Sequence, residues 1–161
     1  MNGKSRKLPN KPSELITVAL DDLNDAQRHG RIIDMSVYVE NRRVFRRHSG
    51  EEDFITLEVC HVCLAGAVIV ERLRKHDDDS ELMPQSFPDD VAAKLIALDN
   101  FRRGLVYRSC INLLSGRTCE KVSVQLMELE NKTWVPDFKR DPRGFKMALR
   151  TLARRLQKLG I

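Results

Sequence analysis

The sequence predicts an α+β fold, a mostly helical single domain with a small antiparallel sheet. Three observations predict it. Apolar residues recur at helical spacing near both ends of the chain, over residues 13–28 and again over 142–159. Strict apolar–polar alternation from Ile33 to Val39 marks a half-buried strand between helical stretches. The length of 161 residues, 42% of them hydrophobic, suits one domain with a real core and excludes wholesale disorder.

Residues 1–11 hold Lys4, Arg6, Lys7, Pro9 and Lys11 with almost nothing apolar, which predicts a flexible basic tail ahead of a globular domain over 12–161. Ser13 is a good N-cap with Glu14 in the first turn, and Ile16, Ala19, Leu20, Leu23 and Ala26 follow at helical spacing. Gly30 stops that helix. The Ile33–Val39 strand then meets Asn41-Arg42-Arg43 as a turn, Val44-Phe45 opens a partner strand, and Arg46–Asp53 is a loop. Phe54–Cys60 is a second strand rich in β-branched residues. A buried helix opens within Cys60–Leu64, and the small residues at 65–67 leave room for another element to approach closely.

His76–Glu81 reads as an acidic loop, and Pro84 and Pro88 bracket a turn. A helix starts at Asp89-Asp90, carries Val91, Leu95, Leu98 and Phe101, and ends at Gly104. A short helix over Val106–Leu114 is stopped by Gly116. Val122, Val124 and Leu126 alternate as a strand would, although Met127 and Leu129 blur the period and leave helix as the alternative. The last helix is marked by Asp141 as N-cap and Pro142 at its first position. Phe145, Leu149, Leu152, Leu156 and Leu159 form its apolar stripe.

Net charge is +5, but unevenly spread: residues 1–50 carry +4, residues 51–100 carry −8 and residues 101–161 carry +9. Such asymmetry predicts either a basic surface aimed at a polyanion or an acidic middle that answers the basic end within the molecule. No apolar run approaches the ~20 residues that cross a bilayer, and no secretory signal opens the chain, so a soluble protein of the cytoplasm is expected.

Cys60-His61-Val62-Cys63 is the most chemical-looking tetrapeptide. Cysteines three apart can share a metal or form a redox pair. A second close-spaced pair is missing, because Cys110 and Cys119 stand apart, and no aromatic residue precedes Cys60. Free cysteines are commonly small buried hydrophobes, and that reading is preferred; no metal and no cofactor are expected. The basic last helix is the other strong feature. Lys139, Arg140, Arg143, Lys146, Arg150, Arg154, Arg155 and Lys158 give eight positive charges against the single acid Asp141. Arg143, Lys146, Arg150 and Arg154 form a stripe beside the leucines, suited to phosphates or an acidic partner, or simply to solvent. Arg42, Arg43, Arg46 and Arg47, with His48, form a second basic cluster on a turn or loop, suited to gripping a phosphate backbone alongside the last helix or to standing as an exposed hairpin tip, the reading preferred. Asp77-Asp78-Asp79 lacks the spaced ligands of a calcium loop. No G-x-S-x-G, P-loop or H-E-x-x-H motif is present, so no enzyme is predicted.

Cys60-His61-Val62-Cys63-Leu64-Ala65-Gly66-Ala67-Val68, then Pro84 and Phe87, then Lys94–Gly104 with its Arg102-Arg103-Gly104 ending, resembles a group of small uncharacterised proteins of tailed phages and prophages. In that group a C-x-V-C-L-A-G-A-V segment precedes a proline-containing loop and a helix ending in Arg-x-Gly. The resemblance spans roughly residues 30–115 and transfers no site residue. It implies a phage-borne accessory protein that binds a host protein in the host cytoplasm, with inhibition of a defence system as one role for such binding. DNA or RNA bound through the basic last helix is the alternative.

Overall fold

The computed structural model describes residues 6–47, 54–74 and 81–161. The elements run α1 (Pro12–Arg28), β1 (Ile32–Ile33), β2 (Val39–Arg47), β3 (Phe54–Val62), α2 (Leu64–Val68), α3 (Asp89–Phe101), α4 (Val106–Ile111), α5 (Gly116–Lys132) and α6 (Pro142–Lys158). A π-helical turn, Ile69–Leu73, prolongs α2, and a 3-10 turn, Pro84–Ser86, precedes α3. The fold is α+β and mostly helical, as the periodicities predict.

The core is organised around α2, all of whose residues are buried. α1 lays Leu15, Ile16, Ala19 and Leu23 into that core and packs on α2, α3 and α6. α3 contributes Leu95, Leu98 and Phe101, while α6 contributes Phe145, Leu149, Leu152 and Leu156. Each such side chain adds about 1.5–3 kcal/mol on leaving water. The small residues of α2 serve the close approach predicted for them. A Cβ on Gly66 would lie 1.7 Å from the Tyr38 carbonyl oxygen. That carbonyl accepts the Cys63 amide at 3.3 Å, and Cys63 Sγ caps α2 by accepting the Gly66 amide at 3.4 Å.

The sheet is mixed rather than wholly antiparallel, in the order β1-β3-β2. β2 and β3 pair antiparallel from Val39↔Val62 to Arg47↔Phe54, and β1 lies parallel to β3 through Ile32↔His61 and Ile33↔Val62. The expected 33–39 strand is therefore broken. Asp34 accepts hydrogen bonds from the Ser36 amide at 3.0 Å and the Ser36 hydroxyl at 2.6 Å, a side-chain turn that competes with the ladder. Asn41-Arg42-Arg43 is not a turn but the middle of β2, opposite Cys60, Val59 and Glu58. Val44-Phe45 continues the same strand, and so do Arg46 and Arg47. Residues 48–53, the rest of the expected loop, lie outside the described residues, as do residues 75–80 with Asp77-Asp78-Asp79.

Three further expectations change. Residues 122–129 are helical: Val122, Leu126 and Leu129 fall at helical spacing toward the core, and Val124 stands 61% exposed, which no inward strand position would allow. Gly116 begins α5 instead of only ending the helix before it, with Ser115 as N-cap. Ser13 lies inside α1, whose N-cap is Lys11 with Pro12 first. The end of the supposed tail is docked, since Leu8 is buried and Lys94 Nζ donates to the Leu8 carbonyl at 3.1 Å and to Asn10 Oδ1 at 2.8 Å. The helix stops hold at Gly30 and Gly104, with φ of 80° and 76°, a region glycine enters cheaply.

The π-helical turn carries charge inward. Arg72 donates to both carboxylate oxygens of Asp22, at 2.8 and 3.0 Å, and Asp22 is fully buried. Glu71 beside it meets His29 Nδ1 at 2.8 Å and Arg31 Nη1 at 3.1 Å.

Candidate binding surface

α6 is positioned by its ends and its stripe. Asp141 Oδ1 accepts the Gly144 amide at 2.9 Å, and Pro142 supplies the preset first turn. Burial of Phe145, Leu149, Leu152 and Leu156 fixes the rotation of the helix, so the predicted basic residues are turned outward. Arg143, Arg150 and Arg154 are exposed along one flank, and Arg155 and Lys158 are exposed further round. Lys146 departs from the stripe. Its Nζ donates to Gln27 Oε1 of α1 at 2.6 Å and sits 6.0 Å from the Phe138 ring centre. Burial, helped by the neighbouring Arg150 charge, pushes its pKa below the usual lysine value. Lys146 thus pins α6 to α1, whereas the arginines remain available.

Electrostatic pairing separates the two basic clusters. Arg42 Nη2 lies 3.0 Å from Glu40 Oε2 and 3.3 Å from Asp34 Oδ2, and Arg43 Nε lies 3.9 Å from Glu58 Oε1. Two hydrogen bonds from Ser36, with lesser help from the Arg42 and His61 charges, hold the Asp34 carboxyl below the usual range. Arg42 and Arg43 are therefore answered within the sheet. Arg46 and Arg47 extend the same strand. α6 packs on α1, whereas Arg42 and Arg43 are paired within the sheet, so the fold does not merge those two with the α6 stripe.

No ion pair among the described residues reaches α5 or α6. Three described acids of the middle segment pair elsewhere: Glu58 faces Arg43, Glu71 faces Arg31 and His29, and Asp99 faces Arg102. Of the two readings of the charge asymmetry, the described residues favour an outward basic surface.

Two grooves flank α6. One, of about 620 Å³, runs between α1 and α6 past Lys11, Glu14, Thr17, Arg150, Arg154 and Gln157. The other lies toward α5. Its outer part, about 340 Å³, is lined by Trp134, Pro136, Met147, Thr151, Lys132 and Arg155. Its inner part, about 310 Å³, shares Lys132 and Arg155 and adds Gln125, Glu128 and Leu159. Trp134 is 78% exposed and Met147 62% exposed. Sequence reasoning passed over this second groove. The signals were present, since the chain's single tryptophan belongs to no apolar stripe and Met147 falls off the Phe145–Leu149–Leu152 face.

The cysteines behave as packing residues. Cys63 caps α2 and Cys110 is a fully buried residue of α4; burial pushes their thiols up to about 11 and about 12. Among the described residues no group of three or more His, Cys, Asp or Glu side chains could hold a metal ion. In the folded protein at neutral pH, a thiol reagent is expected to modify half-buried Cys60 and Cys119 well before Cys63 and Cys110. Mass mapping after brief alkylation checks this, and early labelling of Cys63 would refute it.

No helix among the described residues is long and apolar enough to cross a membrane. No family model, no curated protein and no solved structure matches the chain, so its functional reading rests on the geometry of this surface.

Proposed function

We propose that this chain is a non-enzymatic binding protein whose α6 surface engages an acidic face of a partner protein. One observation carries the reading: exposed cations that no described acid answers lie on the same helix as the exposed Met147, in a groove that the exposed Trp134 of the preceding segment also lines. Protein interfaces combine these residue types, with tryptophan, methionine and arginine enriched and charge kept to the rim. A surface used only for phosphates has no need of Met147. The phage resemblance supports a host protein as the partner, with inhibition of a defence system as one consequence of such binding. Nucleic acid is the second reading, favoured by the run of Arg143, Arg150 and Arg154 along a single helix flank.

The test compares the wild type with a variant carrying Arg143→Glu, Arg150→Glu and Arg154→Glu. All three positions are exposed, so folding should survive. A host protein retained by the wild type and lost by the variant is the expected result. Fluorescence anisotropy with short DNA and RNA should show no binding that persists near physiological salt. Oligonucleotide binding that persists there, weakens by roughly tenfold or more between about 50 and about 150 mM salt and vanishes in the variant would replace the protein reading with the phosphate one.

A further inference from the structure

We propose that the cleft between α5 and α6 is a helix-docking groove that takes an acidic amphipathic helix of the partner. In it, an apolar side chain lodges between Trp134 and Met147 while carboxylates meet Lys132 and Arg155. The proposal rests on the protein-binding reading above and names the part of the partner that is recognised.

The shape of the cleft sets the kind of occupant. Its α6 wall runs from Gly144 to Leu159, about 22 Å at the helical rise of 1.5 Å per residue. Its α5 wall is formed by Gln125, Glu128, Leu129 and Lys132. A trough of that length, walled by α6 on one side and by α5 and the Thr133–Pro136 segment on the other, matches about four turns of a further helix, and grooves of this kind commonly receive amphipathic helices. α5 is also open toward it. Gln125, Glu128 and Lys132, three of the four residues of that wall, are exposed.

The apolar content sets the anchor. Trp134 and Met147 leave most of their side chains in water, the largest exposures among the big hydrophobic residues described. Covering a tryptophan removes on the order of 150–250 Å² from solvent, the kind of gain that dominates interface energies. Leu152 and Ala148 line the cleft beside them and give the incoming side chain an apolar floor.

The charge sets the sign. Lys132 and Arg155 line both parts of the cleft, and neither forms an ion pair among the described residues. Of the two acids in the lining, Asp141 is committed to capping α6 through the Gly144 amide, which leaves Glu128 at the inner end. The centre of the cleft is therefore cationic. An acidic helix is drawn in and a basic one repelled.

Trp134 is the only tryptophan in the chain, so its emission reports directly on the cleft. The probe is a synthetic peptide of about 15 residues with leucine at i, i+3, i+4 and i+7 spacing and glutamate elsewhere, titrated at near-physiological salt. The controls are the same peptide with lysine for glutamate and a single-stranded RNA. The acidic peptide should shift the Trp134 emission to the blue and saturate, while the lysine peptide should not. Lys132→Glu with Arg155→Glu should weaken binding by about tenfold or more, since the two cations at the centre of the cleft are reversed. Arg143→Glu with Arg150→Glu and Arg154→Glu, on the other flank, should weaken it by less than about threefold at that salt.

A wild-type protein whose emission the acidic peptide leaves unmoved would overturn the groove. So would equal binding of the lysine peptide, or an RNA that produces the same shift and displaces the peptide. If the peptide fails while the triple α6 variant still loses a host protein, the groove falls and the protein-binding reading stands. Failure of both removes both.

Discussion

Alanine at Gly66 is expected to cost about 3 kcal/mol or more, enough to leave much of the protein unfolded. The added methyl would sit 1.7 Å from the Tyr38 carbonyl oxygen and 3.2 Å from Val62 Cβ. Neither neighbour is the free end of a flexible side chain. The carbonyl is backbone, held by the Cys63 amide, and α2 is buried on all sides. Relief requires α2 to move away from residues 34–38, which breaks that hydrogen bond and opens the most tightly packed part of the core. Ordinary overpacking costs about 1–3 kcal/mol, and a clash with fixed backbone belongs at or above the top of that range. Gly116→Ala is the matched control. Nothing lies within 4 Å of a Cβ there, and the residue opens α5. It should be neutral or stabilise by about 0.4–1 kcal/mol, because alanine narrows the unfolded ensemble. Urea unfolding of both variants checks the pair. A Gly66→Ala protein as stable as the wild type would show that α2 and the Tyr38 segment are not in contact as described.

Removing the Asp22 carboxylate should have the second large effect. Asp22 is a fully buried residue of α1, and Arg72 reaches it with a two-pronged grip from the π-helical turn. Asp22→Ala strands a guanidinium in a poorly solvated site, which typically costs about 3–5 kcal/mol. For a chain of this size that lowers the melting temperature by roughly 10 °C. Arg72→Leu alone strands the carboxylate and should cost a comparable amount. Asp22→Leu combined with Arg72→Leu removes both charges and should recover a large part of the loss, since a buried pair gains little over well-packed apolar residues. Chemical unfolding of the three variants forms a double-mutant cycle. Losses that simply add would mean that the two groups do not act together.

The predicted function depends on features of unequal legibility. The basic stripe of α6 was readable, because Asp141, Pro142 and a regular leucine spacing fix where the helix starts and which way it turns. Once the leucines are buried, Arg143, Arg150 and Arg154 have no other place to point. The exception among the four is Lys146, whose partner Gln27 lies on a helix far away in sequence. The β2 arginines misled. Their density suggested a hairpin tip, but cross-strand register brings Glu58 to Arg43, and the Asp34 turn brings a carboxylate to Arg42. The α5–α6 cleft was invisible for the same kind of reason. It is made by two helices and a connecting segment, each ordinary in itself, and depends on how far apart they come to rest.

Periodicity, caps and glycine stops determined on their own that this chain is a mostly helical α+β domain, with α1, α3 and α6 close to their observed bounds. These are local signals, written within a few turns of one helix, and burial of one apolar face is all they need. Tertiary structure decided the rest. It turned the alternating residues 122–126 into part of a helix, because Leu126 and Leu129 have a core to reach only in that form. It broke the strand at Asp34, buried Asp22 against Arg72 and docked Leu8. It also left the α6 cations near Trp134 without an ion pair among the described residues. Each of these depends on which distant side chain comes within a few ångströms, and no local pattern carries that information.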